Sequence, residues 1–215
     1  DVTVSCVIAT LDANGHPLPF VTAGGGTGRP DVTTACSNLE AATYVDQIVV
    51  DKACSATDLL LKTIRRIHIF RNVKGAESRD TQMVSIVAVN PAAVVCPAPL
   101  VVIQCFENDS PASIRTITGL DSMAYPFVID TVNGIPQRRV LRPNVSTCNL
   151  IATYSDTPVP VCKANCNGTV KILRQWTILD WCVGSSKTCS QIIKKMDNIK
   201  PTIAVSSPST PYSVN

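Results

Sequence analysis

Two stretches decide the reading: Lys62-Thr63-Ile64-Arg65-Arg66-Ile67-His68-Ile69 and Lys171-Ile172-Leu173-Arg174-Gln175-Trp176-Thr177-Ile178. In the first, Leu61, Thr63, Arg65, Ile67 and Ile69 alternate with Lys62, Ile64, Arg66, His68 and Phe70. In the second, Ile172, Arg174, Trp176 and Ile178 do the same. A period of two is the mark of a β-strand. The two stretches also resemble each other, with Trp176 aligned on Ile67, and the likeness extends to both sides. Cys36-Ser37-Asn38-Leu39 and Ala42-Thr43-Tyr44-Val45-Asp46 return as Cys148-Asn149-Leu150 and Ala152-Thr153-Tyr154-Ser155-Asp156. Thr81-Gln82-Met83-Val84 returns as Ser190-Gln191-Ile192-Ile193, and Val2-Thr3-Val4-Ser5-Cys6 as Val101-Val102-Ile103-Gln104-Cys105. The chain is read as two copies of one module of roughly 100 residues.

Composition agrees with strands. The 215 residues are 45% hydrophobic and 16% charged, which excludes a disordered chain. β-branched residues are abundant and suit a pleated surface. Fifteen prolines and ten glycines punctuate the chain too often for long helices. Seven or so strands in about 100 residues suggest an immunoglobulin-like sandwich. The expected fold is therefore all-β: two tandem Ig-like β-sandwich domains, disulfide-stapled, with an extended C-terminal strand. Residues 1–96 form the first module, 97–201 the second and 202–215 the tail. The short proline-containing connection implies a stiff end-to-end pair.

Val94-Val95-Cys96-Pro97 followed by Val101-Val102-Ile103-Gln104-Cys105 resembles the opening of hyalin-repeat-like (HYR-like) Ig modules. The run from Arg174 to Cys182, then Cys189-Ser190-Gln191-Ile192-Ile193, resembles their ending. Such modules occur in tandem in secreted and cell-surface proteins, notably of Bacteroidetes-type bacteria. The resemblance implies Ig-like folding and an adhesive or structural role, with no catalysis.

Ten cysteines point to disulfides and to an oxidising, extracellular compartment. Repeat position suggests Cys36 with Cys54 and Cys148 with Cys166. Cys182 and Cys189 flank a short loop and could close a hairpin. Cys6 with Cys96 and Cys105 with Cys162 is one arrangement of the rest, though spacing does not fix connectivity. The rival reading is a zinc site of Cys162, Cys166, Cys182 and Cys189.

Little else carries chemistry. His16 and His68 are the only histidines, and His68 is read on a solvated strand face. No nucleophile elbow is present. Gly24-Gly25-Gly26-Thr27-Gly28 lacks the Lys-Ser/Thr of a phosphate loop and reads as a surface turn. Carboxylates are too scattered for calcium. No cofactor and no enzymatic activity are expected. Net charge is +3 with a pI near 8.4, too mild and dispersed for nucleic acid. No apolar run approaches the ~20 residues of a membrane span. The opening at Asp1-Val2-Thr3-Val4-Ser5-Cys6 reads as a processed start. Glycosylation is expected at Asn144, Asn167 or Asn108, or at Ser122 and Thr131 under a bacterial O-linked rule.

Residues 202–215 align with the opening of a further module. Ile203, Val205, Tyr212 and Val214 are read as strand residues that pair with an edge of another copy, near Asp1 to Cys6. Trp176 and Ile67 are read as equivalent core residues. The expected function is a structural subunit of an extracellular filament, a homopolymer assembled head to tail. The alternative is a cell-surface adhesin or stalk fragment that binds glycan or protein through its end loops.

Overall fold

Strand β1 (Val2–Ser5) runs parallel to β4 (Glu77–Val87), and β4 is the last strand of an antiparallel meander with β2 (Leu39–Asp51) and β3 (Leu60–Asn72). The sheet order is β1-β4-β3-β2. These positions come from a computed structural model, which describes residues 1–19, 26–28, 30–32, 39–132, 135–159, 170–197 and 199–200.

The same plan recurs. Strand β5 (Leu100–Gln104) runs parallel to β11 (Ser186–Met196), which closes an antiparallel meander with β9 (Leu150–Val159) and β10 (Val170–Asp180). A two-residue strand β8 (Ser146–Thr147) extends this sheet to the order β5-β11-β10-β9-β8. Register repeats with it: Val2 lies opposite Val84, and Val101 opposite Ile193. The fold is mostly β, and the sequence repeat corresponds to a repeated sheet.

What covers each sheet differs. Helices α1 (Pro111–Thr118) and α2 (Asp121–Ala124) and a two-stranded sheet of β6 (Phe127–Val132) and β7 (Ile135–Val140) are inserted between β5 and β8. Ser110 caps α1 with its side chain, Pro111 opens it, and Gly119 ends it at φ 69°. Ile114, Ala124, Val128 and Leu141 of this insertion share one apolar cluster with Trp176, Ile178 and Ile193 of the sheet. In the first half the cover is irregular chain: Val7 and Ile8 are buried, and Thr27 is bonded to Arg66 and Gln82. Thr27 therefore lies inside, beneath the sheet, and not on the surface turn read from its glycine neighbours. The buried apolar residues of both halves form one continuous cluster, from Val4, Ile64 and Val84 to Trp176 and Ile193.

The strands align one residue away from the sequence reading. Trp176 faces Tyr154 across β9–β10, and the residue facing the equivalent Tyr44 is His68. Trp176 and His68 are both buried, whereas Ile67 points to the opposite face and is half-buried. Ile67 is thus not the counterpart of Trp176, and His68 is not solvated. A slip of one residue moves every side chain to the other face. Ile67→Ala is expected to cost about 1 kcal/mol, against about 2–5 kcal/mol for the fully buried Ile64→Ala. Equal losses in urea titrations would restore the original register.

Candidate functional site

The candidate site is the junction between the halves and the sheet edges beside it. Three disulfides hold this region. Cys6, at the end of β1, is bonded to Cys148, before β9. Cys54, in the β2–β3 loop, is bonded to Cys182, in the β10–β11 turn. Cys96, in the connection, is bonded to Cys189 of β11. Their Cα–Cα distances of 5.6, 5.4 and 5.7 Å suit a bridge.

This connectivity replaces the pairings read from repeat position. Cys54 does not bond Cys36, Cys148 does not bond Cys166, Cys6 does not bond Cys96, and Cys182 does not bond Cys189. The reason lies in the strand geometry. Cys189 points inward beside Trp176, while Cys182 sits at the turn and reaches the other half. With Cys182 and Cys189 in separate bridges, the four-cysteine zinc set is not formed. Among the described residues Cys105 is free and exposed. Cys36, Cys162, Cys166 and Asn167 lie outside the described residues, as do Ile203, Val205, Tyr212 and Val214.

Polar groups tighten the same junction. Asn149 is buried, donates Nδ2 to Val89 O at 2.9 Å and accepts Val89 N–H at 3.1 Å. It satisfies one residue's main chain as a neighbouring strand would. Val95 and Phe127 exchange backbone hydrogen bonds of 2.8 and 3.0 Å. Lys187 Nζ donates to the carbonyls of Ala92 and Val94, and Trp181 Nε1 to that of Cys148. The loop carrying Cys54 is braced by Asp58. The hydrogen bond from Lys52, and then that from Leu60 N–H, holds its carboxyl below the usual range.

Inside each sheet sits a matching ion pair that the sequence reading missed. Arg66 donates Nε and Nη2 to Asp46, both at 2.7 Å, and its guanidinium lies 4.6 Å from the Tyr44 ring centroid. Arg174 donates to Asp156 at 2.8 and 2.6 Å and lies 4.4 Å from the Tyr154 centroid. Each arginine also donates to a carbonyl of its covering segment, Pro17 or Asp109. Such forks fix geometry as well as charge. Arg66 Nη1 reaches Thr27 Oγ1, and His16 Nδ1 stands 3.3 Å from Asp46. Arg174 Nη1, Trp176 Nε1 and Gln191 Oε1 are buried without protein partners. The repeated Tyr-x-Asp on one strand and arginine on the next were the signal, obscured because Arg65 and Arg66 are adjacent.

Strands β1 and β2 end the first sheet, and β5 and β8 end the second. The proposed acceptor strand near Asp1 to Cys6 is therefore an edge. Part of it is taken: Ser5 N–H donates to Asp130 of β6 at 3.3 Å. Among the modification candidates, Asn144, Asn108 and Thr131 are exposed and Ser122 is half-buried. Asn108 Oδ1 accepts Ser110 N–H in a local turn, and Asn144 has the left-handed φ of 59°. Among the described residues no group of three or more His, Cys, Asp and Glu side chains is placed to hold a metal, and no helix is long and apolar enough to cross a membrane.

No protein-family model and no curated protein matches the chain. Three disulfides fit a secreted protein that matured in an oxidising compartment.

Proposed function

We propose that the protein is a non-enzymatic structural subunit of an extracellular filament, joined head to tail with other copies of itself. The observation that carries this reading is the open edge at the start of each sheet, on two halves that bridges and a shared core join into one body. An open edge accepts a further strand through main-chain hydrogen bonds. A rigid body with a non-closing contact makes a fibre rather than a ring. In this reading the donated strand is residues 203–214, and in an extended strand Tyr212 and Val214 would share one face. With Ser5 already bonded to Asp130, the acceptor is the start of β1, from Asp1 to Val4.

The finer reading of each module as Ig-like also belongs to this proposal. An antiparallel meander with a first strand at its edge supports it.

Negative-stain microscopy of the full chain and of a chain lacking 202–215 tests the filament. The full chain is expected to form fibres, and the shortened one to keep its circular dichroism and melting temperature without them. Fibres of normal length from the shortened chain would overturn strand donation. Isolated rods from the full chain would favour the adhesin reading.

A further inference from the structure

Arginine partners divide sharply in this fold. Arg66, Arg71, Arg79, Arg115 and Arg174 each pair with a carboxylate, and Arg65 donates to Gln47. Arg138, Arg139 and Arg142 are exposed and have no hydrogen-bond or ion-pair partner among the described residues. All three border one cleft of about 500 Å³, completed by Asp121, Val140, Val145 and Thr147. The single carboxylate there, Asp121, is engaged by Arg115 at 3.3 Å. Arg138 is steadied over the Phe127 ring, 4.4 Å from its centroid. The cleft is thus a positive site whose charge nothing in the described chain neutralises.

We propose that this cleft binds a sulfated polysaccharide. Guanidinium forks match sulfate and carboxylate oxygens and are weakly hydrated, so they bind anions with little desolvation cost. From Arg138 to Arg142 the chain advances roughly 13 Å at about 3.3 Å per extended residue. Three guanidinium groups around one cleft match a ligand that presents several anionic groups, as a sulfated polymer does. Phe127 is buried beneath Arg138, so the cleft offers no exposed ring on which nucleic-acid bases could stack. Its apolar lining is confined to Val140 and Val145, which leaves no pockets for the alternate side chains of a peptide. The three disulfides fit the compartment in which sulfated glycans occur. Short basic clusters mark nucleic-acid and heparin-type sites alike, and the lack of an exposed ring favours the second.

The test uses the full chain made in a bacterial periplasm, so that Asn144 at the cleft rim carries no N-glycan. Binding to a heparin octasaccharide is measured over a range of salt concentrations. The variants are Arg138→Gln/Arg139→Gln/Arg142→Gln and, as a control basic pair on β11, Lys194→Gln/Lys195→Gln. All the altered arginines are exposed, so melting temperatures should match the parent. The triple variant is expected to bind at least about tenfold more weakly at low salt, with a log–log salt slope shallower by about three. The lysine control should stay within about twofold. Absence of heparin binding by the parent, or an equal loss in the control, overturns the proposal. Equal binding of desulfated heparin or of poly-glutamate also overturns it, the latter pointing to an acidic protein partner.

Discussion

A chain with Cys6, Cys148, Cys54 and Cys182 all replaced by serine is expected to lose at least about 5 kcal/mol of stability. It should still unfold in one transition, at lower denaturant, because the apolar cluster shared by both halves remains. The bridges close separations of 142 and 128 residues. In the chain-entropy model a 100-residue loop is worth about 4.7 kcal/mol, so each bridge alone contributes on that order. The loops overlap, sharing residues 54–148. With one closed, the ends of the other are already near, so the second adds less than the first. Removing either pair should therefore cost less than half of a simple doubling suggests, and removing both should cost the most. The shared core and contacts such as Asn149 with Val89 remain, which limits the loss. Guanidinium titration of the single-pair and double-pair variants measures these differences. Peptide mapping without reduction gives the connectivity directly. Fragments joining Cys36 to Cys54, or Cys182 to Cys189, would refute the junction described here, as would a double-pair variant as stable as the parent.

The junction also shows what a single sequence can and cannot carry. The repeat was legible because both copies keep the same strand patterns, and it located β2, β3 and β4 on β9, β10 and β11. The parallel pairing of β1 with β4 was not legible, because periodicity marks a strand without naming its neighbour. Cysteine pairing failed for a related reason. Repeat position compares a residue with its counterpart, whereas Cys6 and Cys54 bond cysteines of the other module. The burial of His68 was missed through a one-residue slip between adjacent arginines, which the Tyr44 and Asp46 pattern would have resolved. Helix α1 was signalled locally by Ser110-Pro111 and by Gly119 eight residues beyond that proline. An all-β reading of the composition overrode that signal. The arginine cleft depends on which carboxylates lie near which arginines, and only the folded chain decides that.

The paired arginines allow a sharper test of the repeat, because their surroundings differ. Arg66 is fully buried and the Asp46 side chain is 5% exposed, while Arg174 is equally buried but Asp156 is 29% exposed. Removing one partner of a buried pair strands the other charge, at about 3–5 kcal/mol. Arg66→Ala should cost that much, since Asp46 cannot reach water and keeps only His16 beside it. Thr27 Oγ1 and Pro17 O lose their donor in the same variant. Arg174→Ala should cost about 1–2 kcal/mol less, because water can hydrate Asp156. Arg66→Met combined with Asp46→Leu removes both charges and should recover more than half of the Arg66→Ala loss. Replacement of a buried ion pair by apolar groups of similar volume is often close to neutral. Recovery should stop short of complete, since the two carbonyl and hydroxyl acceptors stay unpaired. Urea titrations of the three variants decide the matter. If Arg66→Ala and Arg174→Ala are equally destabilised, exposure of the carboxylate is not what separates the two modules. If the double variant recovers nothing, the arginine acts through its packing on Tyr44 rather than through its charge.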